Sequence, residues 1–346
     1  MDQAKQIRKG EELDWQSLER YLRSALPFDV SGEMRVSQFH GGHANLTYLL
    51  KFDSIELVLR RPPFGKIAPG AHDMKREYRV LSQLYKVFPE APRAYLYSNE
   101  ESIIGSHFVV MERKKGEVVR TQLIDCFVLF EKAEERLASA MIKAQAKLHK
   151  LEIRKANLDK LGRPEGFLER QLAGWSKRWE LCRNEHSSEM DDVFTLLNAS
   201  VPSPQAASII HNDIKLDNCQ FQPDDPDKVT AIFDWDMTTL GDPLVDFGTT
   251  LSYWYEPYFE QFDMPVFISS TFPPKSFLIE KYEELTGFSM ERIDWYQAFS
   301  YWKGGIIAAQ LYQRYVNGQT NDQRMQKFRT TAKVFATFAK KILQEV

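Results

Sequence analysis

Residues 208–248 read SIIHNDIKLDNCQFQPDDPDKVTAIFDWDMTTLGDPLVDFG. The side chains that could do chemistry are Asp213, Asn218 five residues on, and Asp234. Phosphoryl transfer needs this set: one carboxylate beside the attacking hydroxyl, then a second carboxylate and an amide oxygen to hold Mg²⁺ against phosphates. Hard oxygen donors suit Mg²⁺, and no soft ligand set competes here. Asp and Asn are also ordinary turn residues, because they tolerate left-handed backbone and bond nearby amides. What separates this stretch from turn chemistry is its context: His211 before the pair, a hairpin after it, and GDPLVDFG beyond.

The elements around the stretch must bring these residues together. Ile209 and Ile210 form an apolar run into His211. A short strand (219–222), an Asp/Pro turn and a second strand (229–233) would fold Asp234 back beside Asn218. Upstream, Asp14 caps a helix expected at Trp15 to Ala25, ended before Pro27. MRVSQFHGGHANLTYLLKF reads strand, glycine-containing turn, strand, with Tyr48, Leu50 and Phe52 alternating. IELVLR gives a third strand, HDMKREYRVLSQLYKVF switches to helical spacing, and YLYSNEESIIGSHFVVMER reads as a further hairpin. After Lys114-Lys115-Gly116, a plausible linker, helical signals dominate: Leu137, Met141, Ala144 and Leu148 share one stripe, and a Trp-bearing helix is expected near Phe167 to Leu181. The expected fold is α+β, a small antiparallel-sheet lobe over residues 1–113 and a larger, mainly helical lobe over 114–346.

Bulk composition narrows the partners. The 346 residues are 43% hydrophobic and 27% charged with a net charge of -3, ordinary for a globular chain. Nothing global points to nucleic acid, so an anionic ligand needs a local basic pocket. Cys126, Cys182 and Cys219 show no CxxC spacing, which argues against a disulfide framework or zinc site. The polar start has no apolar signal core, and no run approaches the ~18 apolar residues of a membrane helix. The expectation is a cytoplasmic protein without a nucleic-acid or membrane partner; a homodimer is compatible with the sequence.

The spacing H-x-D-x-x-x-x-N followed by an Asp at a strand end is a protein-kinase-like pattern, with Asp234-Trp235-Asp236 in place of DFG. At these residues the chain resembles the aminoglycoside phosphotransferase superfamily. GGHANLTY, VLRRPP, REYRVL, GRPEGFLERQ, FDWDMTTLGDPLVDFG and RIDWYQAFSYWK are similar to the subgroup related to the kinase domain of acyl-CoA dehydrogenase fusion proteins. The resemblance runs from about Phe39 to Tyr315 and implies a protein-kinase-like bilobal fold. It implies Asp213 as catalytic base, Asn218 and Asp234 as metal ligands, and Asp246 as a brace of the catalytic loop. Asp236 would assist metal or substrate, and His211 reads as a loop brace.

Nucleotide phosphates also need a cationic anchor, which kinases supply as a strand Lys held by a helix Glu. Glu77 lies on one helical stripe with Val80, Leu81 and Leu84, and a carboxylate buried there needs a basic partner. The third strand offers Arg60; Arg61 alternates to the other face. Arg in place of Lys is a planar fork and not a point charge, so phosphate geometry would differ. A purely structural ion pair is the rival account. Gly41, Gly42 and Asn45 form the candidate phosphate cover, although a plain hairpin turn fits them as well. Met111, Glu112 and Arg113 are the candidate hinge, with the backbone of Glu112 to Lys114 meeting a purine edge.

The acceptor side is less defined. Trp254, Tyr255, Tyr258, Trp295, Tyr296, Tyr301 and Trp302 at helical spacing favour core over a ligand cage, and Gly304-Gly305 suggests close helix packing or a bend. Lys303, Arg314 and Arg324 could meet an anionic substrate, as could any solvated helix face supply such charges. The expected activity is Mg²⁺-dependent transfer of a γ-phosphate from ATP or GTP to a hydroxyl of a small molecule. The subgroup resemblance suggests a hydroxyacyl compound or its CoA thioester as acceptor. The alternatives are a non-catalytic nucleotide-binding pseudokinase, an aminoglycoside- or choline-type kinase, and a Mg²⁺-dependent phosphohydrolase.

Overall fold

The computed structural model describes residues 4–40, 45–65, 72–183, 187–262, 268–319 and 323–345. In the N-terminal part Asp14 accepts from the Ser17 amide and starts α1 (Trp15–Ala25), which buries Leu18 and Leu22. Strands β1 (Arg35–Phe39), β2 (Leu46–Lys51), β3 (Glu56–Arg61), β4 (Ala94–Ser98) and β5 (Phe108–Glu112) form an antiparallel sheet of order β1-β2-β3-β5-β4. Helix α2 (Met74–Leu84) follows β3, capped by Asp73. The expected tight hairpin between β4 and β5 is interrupted by α3 (Glu101–Ile104), which Gly105 ends in the left-handed conformation.

The sheet's two faces belong to different cores. Leu57 and Leu59 of β3, with Tyr48, Leu50, Phe108 and Val110, pack with Leu18 and Leu22 of α1. Val109 and Met111 of β5 pack the other way, with Val80, Leu81 and Leu84 of α2, into the large core of the remaining chain. Strand alternation therefore turns Arg60 toward α2 and Arg61 toward α3, where its guanidinium donates to Ile104 O at 3.0 Å.

The rest is helical apart from short strands: β6 (Glu117–Val118), α4 (Ala133–His149), α5 (Phe167–Glu180), α6 (Ser187–Ala199), β7 (Ser208–Ile210), β8 (Cys219–Gln222), β9 (Asp225–Ile232), β10 (Thr239–Gly241), α7 (Pro243–Ser252), α8 (Lys275–Thr286), α9 (Ile293–Val316) and α10 (Thr331–Gln344). The architecture is the α+β bilobal one. β9 begins at Asp225, four residues before the strand start read from sequence, so the Asp/Pro segment is itself strand. Trp254, Trp295, Tyr296, Tyr301 and Trp302 are core; Tyr255 and Tyr258 are half-buried. Gly304 and Gly305 allow close packing: a Cβ at Gly305 would sit 3.3 Å from Ala332 Cα of α10, and one at Gly304 3.0 Å from the Phe335 ring.

Candidate active site

GDPLVDFG sets the site's foundation. Asp242 caps α7 by accepting from Leu244 N at 2.9 Å, Pro243 fills the first turn where no amide is needed, and Tyr296 OH donates to Asp242 at 2.7 Å. Gly248 lets α7 touch α9, since a Cβ there would lie 2.7 Å from Tyr296 O. This fixes Asp246, which is wholly buried and accepts from His211 N at 2.8 Å and Asn212 N at 2.7 Å. His149, at the end of α4, lies 3.0 Å from the same carboxylate and 2.6 Å from Tyr282 OH. Burial opposes the Asp246 charge, but His149 and these amides hold its carboxyl below the usual range.

The loop so gripped carries His211 and Asp213. His211 Nε2 donates to Phe233 O at 2.8 Å, so Nδ1 is the acceptor for Asp213 N at 3.2 Å. Both ring nitrogens are committed, which makes His211 a brace. Asn218 Nδ2 donates to Asp213 Oδ2 at 2.8 Å and to Asp213 O at 2.9 Å, leaving the amide oxygen as the available metal donor. Lys215 Nζ lies 3.2 Å from Asp213 Oδ2; burial works against its charge, yet Asp213 and Asp217 hold it above the ordinary range.

The β8–β9 ladder pairs Cys219 with Ile232, and Phe233 N donates to Asn218 O at 2.9 Å, so Asp234 arrives beside Asn218. Asp234 takes the left-handed conformation (φ 72°, ψ 60°), as does Asn212 (φ 73°). Such backbone costs a non-glycine residue roughly 1–3 kcal/mol and clusters at functional sites.

Arg60 crosses to this loop. Its guanidinium donates to Glu77 Oε1 and, at 2.7 Å, to Asp234 Oδ1. Burial pushes the Glu77 carboxyl up to about 7 against the pull of Arg60; Arg60 stays charged, held up in spite of burial by Glu77 and Asp234. Burial would also raise Asp234, but Arg60 keeps it below the ordinary range. Asp236 is pushed up to about 6 by burial and by Asp234. Asn45 donates to Asp236 at 3.4 Å, and His72 Nδ1 lies 2.8 Å from Asn45 Oδ1.

Arg60, Glu77, Asn45, Met111, Glu112, Arg113, Asp213, Asn218 and Asp234 line one cleft of about 270 Å³, with Phe39, Val58 and Leu81 as apolar wall. His211 and Asp246 stand behind it as support. Glu112 N donates to Arg93 O at 2.8 Å, so this hinge amide is already engaged and a purine edge must meet other atoms of the segment. Gly41, Gly42 and His43 lie outside the described residues. Spacing alone did not reveal the Asp234 contact of Arg60, the Lys215 contact of Asp213, or His149 and Tyr282 behind Asp246.

The donor set fits a hard divalent cation. Asp234 and the Asn218 oxygen are hard ligands at adjacent strand ends, and a cation between Asp234 and Asp236 would relieve their repulsion. Among the described residues no group of three His, Cys, Asp or Glu side chains forms a protein-only cage. The buried Arg60 Nε has no hydrogen-bond partner among the described residues, as expected where a phosphate oxygen is to come.

The model of the phosphotransferase enzyme family, APH, matches residues 35–284. The chain belongs to that family. It is 32% identical over 324 residues to mouse acyl-CoA dehydrogenase family member 11, covering 90% of this chain and 41% of that protein. The chain thus spans about two fifths of the length of this relative. A Ralstonia eutropha JMP134 structure assigned as an aminoglycoside phosphotransferase superposes with a TM-score of 0.79, at 26% identity over 96% of this chain and 99% of that one. Choline kinase from Cryptosporidium parvum shares the fold: TM-score 0.65, 13% identity, 96% of each chain. The protein is a small-molecule phosphotransferase with an alcohol group as acceptor. Among the described residues no helix is long and apolar enough to cross a membrane.

Proposed function

We propose that the chain transfers the γ-phosphate of ATP or GTP, with Mg²⁺, to a hydroxyl of a small molecule, a hydroxyacyl compound or its CoA thioester. The acceptor class is suggested by the likeness to acyl-CoA dehydrogenase family member 11. The observation that carries the reading is the convergence of Asp213, Asn218, Asp234 and Arg60 on one cleft. Asp213 is the base: it orients the acceptor hydroxyl and takes its proton as the oxygen bonds to γ-phosphorus and the bond to the leaving diphosphate breaks. Asn218 and Asp234 hold the metal, and Asp236 assists them. When bound, Mg²⁺ neutralises phosphate charge. Arg60, braced by Glu77, contacts the nucleotide phosphates; Asn45 with Gly41 and Gly42 covers them; Met111, Glu112 and Arg113 meet the base. Residues 1–113 act as the nucleotide lobe and 114–346 as the acceptor lobe. Positioning and fixed charge supply most of the catalysis.

The test is Asp213→Ala. Loss of a positioned base lowers kcat by about 10²–10⁴-fold, with Mg-nucleotide affinity retained in a titration; unchanged turnover would falsify the assignment. The acceptor and nucleotide are found by screening hydroxyl compounds with Mg-ATP and Mg-GTP, read by mass spectrometry for phosphate addition. A second reading, a nucleotide-binding pseudokinase, draws on Arg60 standing where kinases carry Lys and being engaged with Asp234. Nucleotide binding without turnover across that screen selects it.

A further inference from the structure

Lys303 lies in the middle of α9 and is only 7% exposed. Its neighbours Gly304 and Gly305 pack on Phe335, Met190 and Ala332, while Lys303 stands 5.6 Å over the ring of Trp175 on α5. Arg178 stands over the same ring at 4.4 Å. Among the described residues Lys303 has no hydrogen-bond acceptor and no carboxylate in ion-pair contact. The other buried cations differ: Arg60 has Glu77 and Asp234, and Lys275 has Glu256 and Tyr301 OH. Lys303 feels Asp213 and Asp246 only through space, and burial with Arg178 nearby lowers its affinity for a proton.

An ammonium buried without an acceptor is strongly disfavoured and persists where something else uses it. A methylene stem and a Trp face would pack as well under a Met. The charge stands within electrostatic reach of Asp213, on the side of the catalytic loop opposite the nucleotide cleft, whose lining does not include it.

We propose that Lys303, with Arg178 and the Trp175 face, forms the acceptor subsite for an oxyanion, so that the substrate carries a carboxylate or phosphate as well as the hydroxyl to be phosphorylated. This rests on the transferase reading and narrows it: a polycationic aminoglycoside or choline is disfavoured, and a free hydroxy acid or the phosphates of a CoA thioester are favoured. Lys303 is a specificity-determining residue; the proton of the hydroxyl goes to Asp213.

The experiment uses the full chain with Mg-ATP and Mg-GTP and four acceptor forms of 2-, 3- and 4-hydroxybutyrate: free acid, primary amide, pantetheine thioester and CoA thioester. The wild type is expected to prefer the free acid over the amide, or the CoA over the pantetheine thioester, by at least about tenfold in kcat/KM, which is the size of one ion-pair contact. Whichever pair shows the preference names the oxyanion. Lys303→Met is expected to erase that ratio mainly through KM, and Lys303→Arg to keep most of it, with Mg-nucleotide affinity unchanged in both. Lys303→Met should also unfold at the same or a higher temperature, since it removes an uncompensated buried charge. A preference for neutral or cationic acceptors, or a ratio unmoved by Lys303→Met, overturns the proposal and leaves the transferase reading intact. If no form is phosphorylated, calorimetry of the same compounds in the presence of Mg²⁺ and a non-hydrolysable nucleotide decides. Binding of the anionic forms that Lys303→Met abolishes upholds the subsite while the transferase reading falls; no binding overturns the subsite.

Discussion

Asp246 does its work without touching a substrate. It holds the amides of His211 and Asn212 and lies against His149, so the catalytic loop is anchored by one carboxylate in the core. Asp246→Asn turns an amide toward those N–H groups and leaves buried donors unmatched. The expected loss is about 2–4 kcal/mol at pH 7, read by urea unfolding, with a fall in turnover. The sign of the pH dependence follows from the shift. The folded carboxyl sits below its unfolded value of 3.8, so its stabilisation is full above about pH 4 and is lost as pH falls through the folded value. The gap between wild type and variant should therefore close below about pH 4; a gap that persists there contradicts an ionised Asp246. The sequence made Asp213, Asn218 and Asp234 legible because their chemistry is written in local spacing. It could not reveal His149 or Tyr282, which lie 97 residues from Asp246 and 133 from His149, because no periodicity links them.

Helix α7 is the element that carries this anchor, and its placement depends on Gly248. Gly248→Ala would set a Cβ against the Tyr296 backbone at 2.7 Å, where no side chain can swing aside, so α7 and α9 must part. Overpacking of this kind costs about 1–3 kcal/mol. The expected outcome is a lower unfolding midpoint together with reduced kcat, since Asp246 and Asp242 move with the helix. A variant that is destabilised but fully active would show that the anchor tolerates displacement. Elements were largely readable where one pattern dominated: the Asp14 cap and the apolar faces of α1 and α2 announce themselves. Helix α3 was missed because four residues carry too little periodicity, although Gly105 after SNEESII is the usual helix stop signal.

Across the whole molecule, Arg60 joins three parts of the chain: β3, on which it stands, Glu77 of α2, and Asp234 beyond β9. The Glu77 pairing was deducible, because a carboxylate on an apolar stripe demands a cation; the Asp234 pairing, 174 residues away, was not. Arg60→Met leaves Glu77 buried and unpaired and should cost about 3–5 kcal/mol. Adding Glu77→Met removes that orphan charge and should recover most of the loss in a double-mutant cycle, while nucleotide affinity stays impaired. Additive losses would place the stabilisation elsewhere. The left-handed backbone at Asn212 and Asp234 has a further consequence, for the mutability of the fold. Glycine adopts that conformation freely, so each position offers the chain a substitution that relaxes the loop yet removes an asparagine or aspartate side chain from the site. Activity and stability pull in opposite directions at these two residues, and selection for robustness alone would erode the site from within.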